Sequence, residues 1–182
     1  MKIIDDVMPV VMQDQLYNMC ISQDFPWGFL EDCTFNNDQL ATQMNKPKYP
    51  AFCHLAFMDY KPRNETATLM ASMLLCMSDK AGLNPNYLHR VRFGMYLPIS
   101  NPPLHNNIHT DLKIPHTVCL YYVNDADGDT FFFDKSRQIV EKISPKKGRM
   151  VIFDGRTLHA SSMPVEFSHR ISLNLNYVER VS

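Results

Sequence analysis

The stretch HRISLNLNY, residues 169–177, alternates strictly between polar and apolar side chains. Successive side chains of a β-strand point to opposite faces, so this stretch predicts a strand with one apolar and one polar face. The apolar face consists of Ile171, Leu173, Leu175 and Tyr177, and the polar face of Arg170, Ser172, Asn174 and Asn176. Two interpretations of the polar face fit the pattern: an edge strand wetted by solvent, or the wall of a polar cavity.

Five stretches upstream of residue 169 also favour extended structure, and turn sequences separate several of them. Asp127-Gly128-Asp129 and Pro145–Gly148 are rich in residues that favour turns. With the last stretch included, the predicted strands are residues 90–97, 117–123, 130–133, 139–143, 149–153 and 169–178. Many short strands joined by turns are typical of a sandwich, a jelly roll or a barrel.

The first half of the chain carries a helical pattern. Residues 12–22 predict one helix, and a second is expected to begin at the N-cap Asn64 and to end at Gly82 and Pro85. The apolar side of this second helix is rich in methionine, which we interpret as core packing rather than as a metal site. It consists of Leu69, Met70, Met73, Leu74 and Met77.

The chain length predicts a simple domain organisation. Its 182 residues fit one domain. Residues 22–62 hold prolines and aromatic residues, and they predict loops with one or two strands between Pro50 and Met58. We therefore expect a single domain, with residues 1–85 as helical and loop support and residues 86–182 as a jelly-roll core.

Composition and charge exclude several classes of function. The formal net charge is -1, so no basic excess indicates a nucleic-acid partner. No apolar run reaches the ~20 residues of a membrane span, and acidic residues interrupt the N-terminus, so we expect neither a membrane anchor nor a signal peptide. The five cysteines form no C-x-x-C pair, which argues against a thiolate zinc site. We expect free, mostly buried thiols in a reducing compartment, the cytoplasm.

The sequence Ile108-His109-Thr110-Asp111 contains the pattern H-x-D. In an extended segment, residues i and i+2 point to the same side, so His109 and Asp111 can bind one metal ion together. His159 follows the predicted strand 149–153 and could reach the same ion. Two histidines and one carboxylate on one face of an octahedron are the pattern of non-haem iron(II) oxygenases. An isolated H-x-D also occurs by chance in polar loops, so the downstream residues decide its interpretation.

The polar face of residues 169–177 supplies a second chemical feature. Arg170 offers a planar fork to a carboxylate, and Ser172 adds a hydroxyl donor. A dicarboxylic cosubstrate that binds a metal at one end needs such an anchor at its other end. Together with H-x-D and His159, these residues favour the polar cavity over the wetted edge.

Residues 88–178 resemble the 2-oxoglutarate and Fe(II)-dependent dioxygenases, and within them the prolyl 4-hydroxylase-like branch. The matching pieces follow the family's order: RVRFGMY, HTD, TVCLYYVND, DGDTFFFD, SPKKGRMVIFDGRTLHASSMPV and HRISLNLNY. The resemblance implies a mainly β fold with N-terminal helices, a cupin-like double-stranded β-helix or jelly roll. It also implies that Fe(II), 2-oxoglutarate and dioxygen are the cofactor and cosubstrates.

The resemblance assigns roles to particular residues. It implies that His109, Asp111 and His159 are the metal ligands and catalytic centre, and that Arg170, Ser172 and Tyr122 bind the cosubstrate; all six are present. One departure is Phe93, which we interpret as standing where relatives carry a tyrosine in the strand before H-x-D. We interpret His105 and His116, which flank the predicted ligands, as solvated loop histidines, with a role around the metal or at the substrate as the alternative. The Pro- and Asn-rich segment 98–107 is expected to shape the substrate entrance.

The implied activity is hydroxylation of an unactivated C–H bond, with a prolyl or other amino-acid residue of a peptide or protein as the leading substrate. Small-molecule substrates stay open, and the sequence predicts no oligomeric state. Two alternatives remain. A cupin-like metalloenzyme without 2-oxoglutarate would need the three ligands but not Arg170, and a non-enzymatic jelly-roll binding or virion protein would need neither.

Overall fold

The computed structural model describes residues 1–32 and 48–179. Within these ranges it contains three α-helices: α1 (Val10–Ile21), α2 (Glu65–Leu69) and α3 (Ala71–Ala81). The strands are β1 (Lys2–Ile4), β2 (Gly28–Leu30), β3 (Ala51–Met58), β4 (Lys61–Pro62), β5 (Leu88–Tyr96), β6 (Thr117–Tyr122), β7 (Thr130–Phe133), β8 (Ile139–Ile143), β9 (Met150–Asp154), β10 (Leu158–Ser161) and β11 (Arg170–Tyr177).

The strands form two antiparallel sheets. The large sheet has the order β1-β9-β6-β11-β5-β3-β2, with β4 paired to β3, and the small sheet has the order β10-β7-β8. An isolated bridge between His109 and His159 extends the small sheet beyond β10. From β5 onward the chain passes repeatedly between the two sheets. The mainly β, double-stranded β-helix expected from the sequence is therefore confirmed.

The two sheets enclose an apolar layer between them. The buried cluster there combines Leu120 and Val151 of the large sheet with Phe132 and Ile143 of the small sheet. Leu120 also lines a polar cavity beside this cluster, so the apolar layer and the cavity are neighbours. The space between the sheets therefore serves both as core and as a candidate binding site.

Strand β11 lies between β5 and β6 and is hydrogen-bonded to both. Its apolar face is fully buried in the main core, where Ile171, Leu173 and Leu175 pack with residues of α1 and α3. Three residues of its polar face line a cavity: Arg170, Ser172 and Asn174. The polar face is therefore a cavity wall, and the wetted-edge interpretation is wrong.

The helical region matches its prediction in part. Gly82 ends α3 with a left-handed φ of 72°, which a glycine adopts without steric cost, and Met70 and Met77 are fully buried. The single helix predicted from Asn64 is instead divided at Met70 into α2 and α3. Leu69 is consequently 71% exposed and not part of the core. Asn64 also does not cap α2 through its side chain, which donates to the Leu55 carbonyl at 2.9 Å.

The first half of the chain contributes strands as well as helices. Three of its short strands, β1, β2 and β4, were not predicted, because two or three residues carry too little periodicity to identify a strand. β1 adds to β9 at one edge of the large sheet, whereas β2 and β3 extend its other side. The division of the chain at residue 85 stays a prediction.

Two expectations concern the cysteines and the membrane. The cysteines in the described ranges, Cys20, Cys53, Cys76 and Cys119, are free thiols, and Cys20 and Cys119 are buried. Cys33 and residues 33–47 of the predicted loop region lie outside the described residues. None of the described helices is long and apolar enough to span a membrane.

The packing of α1 on the large sheet generates a stability prediction. Leu16 is fully buried in the main core, so Leu16→Ala leaves a cavity and is expected to lower the free energy of unfolding by about 2–5 kcal/mol. Val11 on the same helix is 67% exposed, so Val11→Ala should change stability by less than about 0.5 kcal/mol. Urea denaturation of both variants measures the difference. Equal effects would show that α1 does not anchor to the core through Leu16.

Candidate metal centre

The fold brings His109, Asp111 and His159 together. One ligand atom from each residue lies within 4.8 Å of the ligand atoms of the other two. Two backbone hydrogen bonds of 3.0 Å join His109 and His159, each amide donating to the other's carbonyl. His159 belongs to β10, a strand that was missed in the sequence, where the residue was expected only at the rim of the preceding strand.

Local hydrogen bonds orient both imidazoles. Nδ1 of His109 lies 2.9 Å from the carbonyl oxygen of Asn107, and Nδ1 of His159 lies 2.9 Å from that of Thr157. A carbonyl oxygen can only accept, so each Nδ1 carries a hydrogen, and in the neutral ring Nε2 keeps the lone pair that can bind a metal. Burial lowers the pKa of His109 to about 4, which keeps this imidazole neutral at physiological pH. Both features suit metal ligands.

Asp111 supplies a buried negative charge beside the two rings. Burial alone opposes ionisation of its carboxyl, but electrostatic interactions with His159, Arg90 and His109 outweigh that effect and hold its pKa well below the usual range. Oδ1 of Asp111 lies 4.0 Å from Nε2 of His159 and 3.3 Å from a guanidinium nitrogen of Arg90. The carboxylate is therefore ionised and close to the imidazoles.

A cavity extends from these three residues to Arg170. The residues that line it are Arg92, Gly94, Tyr96, His109, Asp111, Leu120, Thr130, Phe153, His159, Ser161, Arg170, Ser172 and Asn174. The cavity thus combines all three predicted ligands with Arg170 and Ser172 of β11. Asn174 belongs to the polar face that the sequence predicted to be a cavity wall. Arg92 and Ser161 were not singled out from the sequence, although strand alternation alone places Arg92 on the polar face of β5.

Arg170 is only 1% exposed and is held rigidly. Its Nε donates to the Gly128 carbonyl at 2.6 Å, and a second nitrogen donates to Oγ1 of Thr130 at 3.0 Å. The aromatic rings of Tyr96 and Tyr122 flank its guanidinium at 5.3 Å and 5.5 Å. No carboxylate among the described residues forms an ion pair with it. A buried, preoriented guanidinium of this kind suits an anionic ligand with planar geometry.

The two tyrosines differ in their relation to the cavity. The hydroxyl of Tyr122 donates to Thr130 Oγ1 at 2.8 Å, so Tyr122 supports a residue of the cavity wall. Tyr96 lines the cavity, and its hydroxyl accepts from Ser161 Oγ at 3.1 Å. Phe93 is fully buried on the opposite face of β5. The interpretation of Phe93 as the counterpart of a cosubstrate-facing tyrosine is therefore wrong, and strand parity points to Tyr96.

The other residues predicted near the entrance do not line this cavity. His105 packs its ring against Phe131 and Phe133. His116 is buried and lies against Gly155. The 98–107 segment is nevertheless tied to the cavity wall, because the backbone amide of Asn106 donates to the Ser161 carbonyl at 2.7 Å.

The donor set fits a divalent iron. Two neutral imidazole nitrogens and one carboxylate oxygen from one side of a cavity leave the remaining coordination positions open. Burial around the three residues also limits water at the metal. The opposite end of the cavity carries Arg170 and Ser172, which match a carboxylate.

Comparison with protein-family models finds a match. Residues 103–178, which are 76 of the 182 residues, match the model of the 2OG-Fe(II) oxygenase superfamily, and the three candidate ligands, Arg170 and Ser172 all lie inside the match. Over this part the chain is similar to oxidoreductases that use Fe(II) with 2-oxoglutarate and dioxygen, and the donor set of His109, Asp111 and His159 fits that cofactor. The sequence matches none of the curated proteins significantly.

Solved structures share the fold of this chain at low identity. An oxidoreductase of the 2OG-Fe(II) oxygenase family from Burkholderia pseudomallei has a TM-score of 0.67 at 13% identity, covering 94% of this chain and 80% of that one. A Pseudomonas putida prolyl-4-hydroxylase has a TM-score of 0.57 at 13% identity, covering 98% of this chain and 92% of that one. The α-ketoglutarate-dependent epimerase SnoN from nogalamycin biosynthesis has a TM-score of 0.62 at 10% identity, covering 97% of this chain and 77% of that one.

The close contact between Gly128 and Arg170 generates a prediction. A Cβ at residue 128 would lie 2.7 Å from the Ser162 carbonyl oxygen and 2.8 Å from Cδ of Arg170, so Gly128→Ala must displace the guanidinium. We expect the dissociation constant for 2-oxoglutarate to rise about tenfold or more, a loss of about 1.4 kcal/mol or more. Gly28→Ala is the control, because a Cβ there makes an ordinary 3.5 Å contact. Equal 2-oxoglutarate affinity in both variants would contradict the packing argument.

Proposed function

We propose that the protein is a 2OG-Fe(II) oxygenase that hydroxylates an unactivated C–H bond of a prolyl or other amino-acid residue in a peptide or protein. In this proposal His109, Asp111 and His159 bind the iron, Arg170 and Ser172 bind 2-oxoglutarate, and Tyr122 supports that end of the cavity from behind Arg170 and Thr130. One observation carries it. A single cavity has a metal-type donor set at one end and a buried guanidinium without a carboxylate partner among the described residues at the other.

The metal end of the cavity is argued from its donors. His109 and His159 present Nε2 because their Nδ1 hydrogens are committed to backbone carbonyls. Asp111 is ionised and adds one negative charge. With iron(II), the three residues leave one net positive charge and open coordination positions for a bidentate anion and for dioxygen. This arrangement suits the keto acid end of 2-oxoglutarate.

The other end of the cavity suits the second carboxylate of 2-oxoglutarate. Arg170 supplies the charge, and Ser172 Oγ lies 3.5 Å from its guanidinium and adds a hydroxyl. Tyr122 contributes through its ring, which flanks the guanidinium, and through its hydrogen bond to Thr130. This end distinguishes the proposal from a cupin-like metalloenzyme without 2-oxoglutarate and from a binding protein, since neither requires a buried arginine there.

The chain's own residues have binding and positioning tasks. When bound, iron(II), 2-oxoglutarate and dioxygen supply the oxidising chemistry that places oxygen on a carbon atom. The two histidines and Asp111 fix the metal's position, Arg170 fixes the cosubstrate's orientation, and the walls formed by Leu120 and Phe153 keep water out. No side chain of the cavity has to act as a strong base.

The proposed substrate class rests on similarity of fold. The Pseudomonas putida enzyme, a prolyl-4-hydroxylase, is covered over 92% of its length, so nearly all of its framework has a counterpart here. The epimerase SnoN shares the same fold, which makes a small-molecule substrate the second candidate. Free Cys20 and Cys119 thiols support a reducing compartment, and we propose the cytoplasm.

The cofactor assignment is tested by anaerobic titration of the iron(II)-loaded protein with 2-oxoglutarate. We expect the weak visible charge-transfer band of a keto acid chelated to iron, and its absence in His109→Ala. The Arg170→Ala protein should need about tenfold or more 2-oxoglutarate for half-saturation, because the substitution removes the buried guanidinium that would pair with the cosubstrate's second carboxylate. His105→Ala, outside the cavity, is the matched control. Iron binding without the band would favour the metalloenzyme without 2-oxoglutarate, and no iron binding would favour the binding protein.

The substrate assignment is tested by mass spectrometry of proline-containing peptides incubated with the complete system under ¹⁸O₂. Hydroxylation adds one oxygen atom from dioxygen and should form succinate in equal amount. A peptide product lacking the label, or a small-molecule product of unchanged mass as epimerisation gives, would contradict C–H hydroxylation of a peptide. Asp111→Ala serves as the inactive control in the same assay.

A further inference from the structure

The two oxygens of the Asp111 carboxylate have different surroundings. Oδ2 accepts two hydrogen bonds, from Nδ2 of Asn174 at 2.8 Å and from Nδ2 of Asn176 at 3.1 Å. Oδ1 is the oxygen near the histidines, 4.0 Å from Nε2 of His159. One oxygen thus accepts hydrogen bonds from two amides, while the other lies between the guanidinium of Arg90, at 3.3 Å, and the candidate metal position.

Arg90 fixes the orientation of one of these amides. Its Nε donates to Oδ1 of Asn176 at 2.7 Å, and both side chains are buried. The oxygen of the Asn176 amide therefore faces the guanidinium, and its nitrogen must face Asp111. Arg90 also pairs with Asp111 at 3.3 Å, so the guanidinium holds the carboxylate and the amide in one network.

We propose that Asn174 and Asn176 restrict Asp111 to binding the metal through one oxygen, and that Arg90 positions Asn176 for this task. The inference rests on the proposed function, because it takes Asp111 as a metal ligand. Asn174, Asn176 and Arg90 are positioning residues that act through Asp111. Asn174 and Asn176 come from the polar face of β11, the same face that carries Arg170 and Ser172.

The restriction matters because an octahedral metal has six positions. With iron(II) bound, His109, His159 and one oxygen of Asp111 would occupy three, a chelating keto acid would occupy two, and one would remain for dioxygen. A carboxylate that bound through both oxygens would occupy a fourth position and compete with 2-oxoglutarate. The amides oppose this, because they occupy both acceptor sites of Oδ2 and a metal bond from this oxygen would have to break at least one of the two hydrogen bonds.

Asn174→Leu tests this inference, since leucine has a similar volume and no donor. Two anaerobic titrations are made. The first measures the affinity for iron(II) by competition with a chromophoric chelator. The second measures the affinity of the iron(II)-loaded protein for 2-oxoglutarate from the growth of the charge-transfer band. We expect iron(II) to bind with unchanged or tighter affinity, whereas the dissociation constant for 2-oxoglutarate rises about tenfold or more. A residue that merely supported the site would instead lose metal affinity, by about 10–100-fold in comparable outer-shell variants.

Controls separate the inference from the proposed function. Asn124 also holds β11, accepting from the Ile171 amide at 2.8 Å, but it lies outside the Asp111 network, so Asn124→Leu should lower stability without changing the ratio of the two affinities. If Asn174→Leu does not fold, Asn174→Ser is titrated in the same way. Parallel loss of both affinities, or no change in either, overturns the inference. A wild-type protein that binds neither iron nor 2-oxoglutarate overturns the proposed function itself.

Discussion

The two backbone hydrogen bonds between His109 and His159 are the constraint on which the candidate site depends. They pair a segment between the sheets with β10, and so place two imidazoles from distant parts of the sequence side by side. Asp111 then joins them because it is two residues beyond His109 on the same side of the chain. The carbonyls of Asn107 and Thr157 complete the arrangement by fixing both ring orientations. A three-residue donor set is thereby built from backbone geometry.

The central position of β11 connects the stability of the protein to its chemistry. Its apolar face anchors the main core, and its polar face carries Arg170 into the cavity. Burial of a guanidinium is costly unless its donors are satisfied, and Gly128 and Thr130 supply acceptors. The close approach of Arg170 to Gly128 explains why a side chain at residue 128 would be harmful. The Arg170 end of the cavity is therefore part of the framework and not an addition to it.

Much of the β fold could be predicted because strand alternation is a local property. β7 and β8 begin and end at the predicted residues, and β11 lies within one residue of its predicted ends. The polar faces of β5 and β11 also follow from alternation, which places Arg92, Tyr96 and Asn174 on the cavity side. The break between α2 and α3 at Met70 could not be predicted, because helix propensity is weak and tertiary packing overrides it.

The sequence by itself determined the strand pattern, the H-x-D pair and the order of the residues that resemble a 2OG-Fe(II) oxygenase. Only the tertiary structure decided which groups meet: His159 with His109, Arg90 with Asn176, and both asparagines with one oxygen of Asp111. The physical reason is that hydrogen-bond partners across a sheet depend on strand register. Register follows from the packing of residues far apart in the chain, whereas the polar and apolar alternation of a strand can be recognised within the sequence of that strand alone.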